Sequence, residues 1–167
     1  RSSGKLNVNL NTAESKWDIT RNTINYGQIS VGSNLTLNTD SLKNYKDLNV
    51  AKDLTIFTNS FDNAVGANII SMGRVSLNSS GNGYLDSASN AGVINSNDFR
   101  IKANNFENKG NGIIASTEAE IDVLGTLDNA GGIYQTTRVV SSQNNVFNIS
   151  ASTIKNENIS APEKANI

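Results

Sequence analysis

Three carboxylates at alternate positions, Glu118, Glu120 and Asp122, are the residues in this chain best spaced to do chemistry. On a strand, side chains two apart lie on one face. The three would then converge as the paired carboxylates of a glycoside hydrolase must. The same spacing has a plainer reading, a solvated face opposite Ala119, Ile121 and Val123, which alternation alone produces. The plainer reading is the one adopted, and no catalytic residue is expected.

Other chemistry is thinly represented. The chain has no histidine and no cysteine, which removes Ser-His-Asp and Cys-His nucleophilic systems, imidazole and thiolate metal sites, and any disulfide framework. Gly81-Asn82-Gly83-Tyr84-Leu85-Asp86 has the composition of a calcium-binding turn. Repetitive calcium rolls need that phrase repeated, and here it occurs once, so an ordinary loop is expected. No glycine cluster lies between a strand and a helix, which leaves no phosphate or dinucleotide loop. No cofactor is expected. Four N-x-[ST] acceptors, Asn34, Asn78, Asn148 and Asn158, are no more than 28 asparagines, 20 serines and 12 threonines produce by composition. Trp17, the only tryptophan, reads as a packing residue.

The elements that would position such residues are written as a repeat. Asn90-Ala91-Gly92-Val93-Ile94 is echoed by Asn108 through Gly112-Ile113-Ile114, and again by Asn129-Ala130-Gly131-Gly132-Ile133. A closing triplet of apolar, charged and asparagine residues occurs five times: Leu42-Lys43-Asn44, Phe61-Asp62-Asn63, Phe106-Glu107-Asn108, Leu127-Asp128-Asn129 and Ile154-Lys155-Asn156. Alternating apolar pairs end at positions 37, 56, 77, 101, 123 and 149, giving steps of 19, 21, 24, 22 and 26. A constant unit with variable excess means a core of short strands with loops added.

A lone unit of that size cannot bury an apolar face, but stacked units can. Stacking places Ile29, Leu37 and Leu42 above their counterparts, with strands pairing turn to turn. Asparagine and glycine suit the corners, and stacked asparagine side chains can hydrogen-bond along the axis. The expected fold is all-β: a right-handed parallel β-helix, or β-solenoid, of about six to seven coils of roughly 20 residues, on the order of 30 Å long. An antiparallel sandwich or barrel also has short, evenly spaced strands, but it does not require the same triplet at each closure.

Composition sets the remaining bounds. Of the 167 residues, 37% are hydrophobic and only 17% charged, with a net charge of -1. That gives no electrostatic argument for nucleic acid or an anionic membrane, and no apolar run approaches a membrane span. Asn, Ser, Thr and Gly at this density disfavour helix. Along the chain, residues 1–24 read as a first coil, opened by Leu6-Asn7-Val8-Asn9-Leu10, followed by an irregular segment from Asn11 to Asn22. Residues 25–158 form the repeat domain. Residues 159–167, with the sole proline Pro162, are a tail expected to fray. Insertions at residues 79–90 and 136–145, near Tyr84 and Tyr134, are expected to protrude. The start at Arg1 without methionine reads as a piece of something longer.

The phrase of asparagine, small residue, glycine and aliphatic, then an alternating strand and a closing leucine-x-asparagine, resembles the repeats of filamentous haemagglutinin across residues 25–156. These are large exoproteins of Gram-negative two-partner secretion. The resemblance implies a right-handed β-helical shaft that is secreted to the bacterial cell surface by an outer-membrane transporter. It also implies kinship with adhesins, haemolysins and contact-dependent growth inhibition proteins. The secretion-domain signatures of that family are not seen, which makes this an internal shaft segment, and no functional residue of the family maps onto it. The expected role is a rigid spacer carrying a distal activity, not an enzyme and not membrane-embedded. The alternatives are an adhesin binding a host or neighbouring-cell receptor or glycan through the side loops, and a carbohydrate-active β-helix enzyme. Glycan-array binding and polysaccharide turnover would identify them.

Overall fold

The computed structural model describes residues 5–8, 14–81, 83–136, 146–157, 159–160 and 165–166. Among them are strands and no helix, joined as one 19-stranded sheet. Each strand pairs in parallel with the strands one turn earlier and one turn later, so the chain is a β-solenoid.

Each turn has three faces. Lys5–Val8, Gln28–Val31, Asp47–Val50, Asn68–Ser71, residues 93–96 and 113–116, Gly132–Gln135 and Ile159–Ser160 stack as the first. The second contains Ser15–Asp18, Leu35–Asn38, Leu54–Phe57, Arg74–Asn78, residues 98–103, 118–123 and 147–151, and Ala165–Asn166. Thr23–Asn25, Ser41–Asn44, Ser60–Asn63, Ser87–Asn90, Phe106–Asn108 and residues 126–129 and 153–156 make the third.

Alternation turns every second side chain inward, and parallel register then places like on like. Ile29, Leu48, Ile69, Ile94, Ile114 and Ile133 form a buried column behind the first face. Leu37, Ile56, Leu77, Ile101, Ile121 and Ile149 do so behind the second. Behind the third, Leu42, Phe61, Ala88, Phe106 and Leu127 are stacked, with Ala88 between two phenylalanines. A small residue between two large ones keeps the column filled without strain. A slip of one residue would turn a strand's apolar set outward, so burial fixes the register.

The corner between the third and first faces is closed by asparagine. Asn25 Nδ2 donates to Asn44 Oδ1 at 2.8 Å, Asn44 to Asn63 at 2.9 Å, Asn63 to Asn90 at 2.8 Å and Asn90 to Asn108 at 2.8 Å. Asn108 then donates to Asn129 at 2.7 Å, and Asn129 to Asn156 at 2.9 Å. These bonds span six turns and all point the same way. The same amides also donate to the backbone, as from Asn44 to the Lys46 carbonyl at 2.7 Å. The buried ladder amides are thus satisfied within the fold. The other corners use hydroxyls: Thr39 and Thr58 donate to the carbonyls of Arg21 and Asp40, and Ser96 pairs with Ser116. Tight corners need small residues: a Cβ on Gly112 would lie 2.4 Å from both Asn108 Oδ1 and the Asn90 carbonyl.

The structure adjusts four expectations. Ile101 pairs with Ile121, not Val123, and Ile121 with Ile149. The register positions are therefore 37, 56, 77, 101, 121 and 149, with steps of 19, 21, 24, 20 and 28. Val123 is a third inward residue on an extended strand, and three apolar residues at alternate positions leave the register ambiguous until the neighbouring turns are placed. The segment from Asn11 to Asn22 contains a regular strand, Ser15–Asp18, in which Trp17 pairs with Leu37 and packs, partly buried, against the core. The tail contributes two short paired strands, Ile159–Ser160 and Ala165–Asn166. The insertion after Asn78 folds back on the solenoid, with Leu85 bridged to Ala103. Asn9, Leu10, Asn82, residues 137–145, Asn158 and Pro162, on which other expectations fall, lie outside the described residues.

Candidate functional site

Glu118, Glu120 and Asp122 project from the second face, half-exposed, while Ala119, Ile121 and Val123 between them are buried. Each carboxylate belongs to a charge ladder along the solenoid axis. Arg74, Asp98 and Glu118 occupy one register position in successive turns, as do Ser76, Arg100 and Glu120. Arg74 Nε donates to Asp98 at 2.7 Å, Arg100 Nε to Asp98 at 3.1 Å, and Arg100 Nη1 to Glu120 at 2.9 Å. The bond from Arg74 to Asp98 holds the Arg74 guanidinium above its ordinary range. Asp98, at 9% exposure, is the least accessible carboxylate on the face and carries both arginines. Sequence reasoning singled out only the acids. The signal for the arginines was present, because Arg74, Asp98 and Glu118 each precede the first inward residue of a second-face strand. Near the first turns, Lys16 and Asn38 hold Asp18 below the usual carboxylate range, Asn38 having the larger effect.

Glu120 and Asp122 are bonded to neighbouring cations and hydroxyls, and both line a shallow groove of about 400 Å³ with Asn148 and Ser150. Asp122 accepts the Tyr84 hydroxyl at 2.8 Å and the Ser150 hydroxyl at 3.1 Å, and Lys102 Nζ lies 3.7 Å away. The Tyr84 phenol is raised above its ordinary value, chiefly by the bond to Asp122. Paired acid and base chemistry needs two carboxyls facing one substrate bond with different proton affinities. Here the acids lie in a row on an open, flat sheet. In Gly81–Asp86, Gly83 takes φ +86 and Asp86 is exposed, its N–H bonded to the Asn59 carbonyl. Among the described residues no group of three or more acidic side chains is placed to hold a metal ion.

The insertion at residues 79–90 does not stand off the surface. Leu85 is fully buried and forms a parallel bridge with Ala103, and Tyr84 lies half-buried against the second face. Ser80, Gly81, Gly83, Asp86 and Ser87 are exposed on either side of these two anchors, and Ser80 is itself bonded to Asn59. A loop supplying a core residue could not have been told from a projecting one by composition. Tyr134, near the other expected insertion, is half-buried on the first face. Of the N-x-[ST] acceptors, Asn34 is exposed with its Oδ1 accepting the Asp53 N–H, while Asn78 and Asn148 are half-buried outward residues of the second face.

Shallow grooves interrupt the faces, two of them between small side chains. One, of about 480 Å³ on the third face, forms where Ser60, Ser87 and Ser89 are small between Lys43 and Asp62 on one side and Glu107 and Lys109 on the other. The Ser60 and Ser87 hydroxyls and the flanking charges could hydrogen-bond a polar ligand, while the Ser89 hydroxyl is buried. The second, of about 580 Å³, is edged by Ala51, Ile70 and Met72 beside the first face. Charge is unevenly distributed: second-face strands carry the arginine and carboxylate ladders, whereas outward positions on the first face from Gln28 to Tyr134 carry a single charged residue, Asp47.

The architecture places the chain in the class of parallel β-solenoids with an asparagine-laddered corner. No protein-family model, no characterised protein and no solved structure matches it. No helix among the described residues is long and apolar enough to cross a membrane.

Proposed function

We propose that the chain is a rigid spacer: a shaft segment of a large secreted bacterial surface exoprotein, extending a distal binding or toxin activity away from the cell. The unbroken asparagine ladder from Asn25 to Asn156 is the observation that carries this reading. Bending at that corner would break side-chain amide bonds in the interior, where unpaired polar groups are costly. The repeat's resemblance to filamentous haemagglutinin supplies the surface location, export by an outer-membrane transporter and the non-enzymatic role. Immunolabelling of intact source cells with antibody raised against this chain tests it. Labelling of unpermeabilised cells is expected, and labelling only after lysis would overturn the surface reading.

The groove at Ser60, Ser87 and Ser89 favours a second reading, a direct adhesin that takes a polar chain such as a glycan along the third face. It differs from the loop-based adhesin expected from sequence, because Tyr84 is committed to Asp122. A glycan array separates the two: the spacer reading expects no specific binding, and the adhesin reading expects binding that Ser89→Trp abolishes.

A further inference from the structure

Contacts in a solenoid are made between adjacent turns, so turns are ordinarily coupled only to their neighbours. Asp122 departs from this. Naming each turn by its ladder asparagine, Tyr84 belongs to the turn of Asn90, Lys102 to that of Asn108, Asp122 to that of Asn129 and Ser150 to that of Asn156. One carboxylate thus gathers groups from three other turns, so that four consecutive turns meet at it, at 2.8 Å for Tyr84, 3.1 Å for Ser150 and 3.7 Å for Lys102. The bond from Tyr84 skips a turn, and the insertion is shaped to deliver it. Gly83 turns the chain in a left-handed conformation, Leu85 is seated in the core, and its backbone is bonded on both sides. The Leu85 N–H donates to the Lys102 carbonyl and the Asn104 N–H to the Leu85 carbonyl, each at 2.8 Å, while the Asp86 N–H reaches back to the Asn59 carbonyl at 2.8 Å.

We propose that the insertion is a strap, seated by Leu85 and latched by Tyr84 on Asp122, that locks the turns of Asn90 through Asn156 into one unit that opens together. Its use in stiffening a shaft rests on the spacer reading; the strap itself does not. A charge-assisted hydrogen bond at the latch strengthens the closed state, and the amides at Leu85, Asp86 and Asn104 report its opening.

Native-state hydrogen exchange on the whole chain and on Tyr84→Phe, which keeps the ring and removes the donor, is the test. Exchange at Leu85, Asp86 and Asn104 is expected to accelerate by about tenfold or more in Tyr84→Phe, with the Thr39 and Tyr45 amides of earlier turns unchanged. Asp122→Ala should extend the acceleration to residues 147–151. Unchanged rates at Leu85 and Asn104 in Tyr84→Phe, or acceleration spread evenly to Thr39 and Tyr45, would overturn the strap. Failure of surface labelling would overturn the spacer reading and leave these rates as they are.

Discussion

The ladder asparagines stabilise the fold through bonds on both sides of the same amide. Asn63 accepts from Asn44 at 2.9 Å and donates to Asn90 at 2.8 Å, with no exposed surface. Asn63→Ala therefore removes these two bonds and a third to the Val93 carbonyl at 3.3 Å, and leaves the Asn90 oxygen without its donor, a loss of about 2 to 3 kcal/mol. Asn95→Ala, at an exposed outward position, should stay within about 0.5 kcal/mol of the parent. Urea unfolding of the two variants measures the difference. Tyr84 gives a second check. Its folded pKa is raised by Asp122, so its contribution to stability is complete below the unfolded tyrosine value and is lost as pH rises through the folded value. Ultraviolet titration should show a late-ionising tyrosine that Asp122→Ala removes.

Each face of a turn stabilises the fold through one to three inward residues. Leu54 is fully buried and pairs with Leu35 below and Val75 above. Leu54→Ala should cost about 2 to 5 kcal/mol in a denaturant titration. Asp98 is the corresponding test on the outward side. It joins Arg74 and Arg100, and Asp98→Ala leaves two guanidiniums side by side. A loss of about 1 to 3 kcal/mol is expected, reduced by added salt because the remaining repulsion is screened.

At the scale of the molecule, the turn is the unit that can be removed. Residues 45–63 form one turn, Asn44 and Asn63 being 19 apart in the ladder. Deleting them should leave a folded β-protein shortened by about 4.8 Å, as read by circular dichroism and solution scattering. Deleting residues 45–54 removes half a turn, puts faces and corners out of step, and should abolish the folded signal. Retention of native β-structure by the half-turn deletion would show that register is not what holds the turns together.

The solenoid, its period, its inward columns and its laddered corner were legible in the sequence because they are nearest-turn features. Parallel stacking brings each residue onto its counterpart one unit away, so the contact repeats in the sequence at the same interval as in space. The triplets from Leu42-Lys43-Asn44 to Ile154-Lys155-Asn156 are visible for that reason. Asn25 and Asn90 join the same ladder in Thr23-Ile24-Asn25 and Ala88-Ser89-Asn90, where the flanking residues depart from the triplet and hide it. Only the tertiary structure decided that Ile121 and not Val123 continues the column, that Leu85 is a core residue, and that Tyr84 reaches Asp122, 38 positions away. Those choices depend on how much chain each corner holds and where it can pack, and a contact made once, across a skipped turn, leaves no period in the sequence to read.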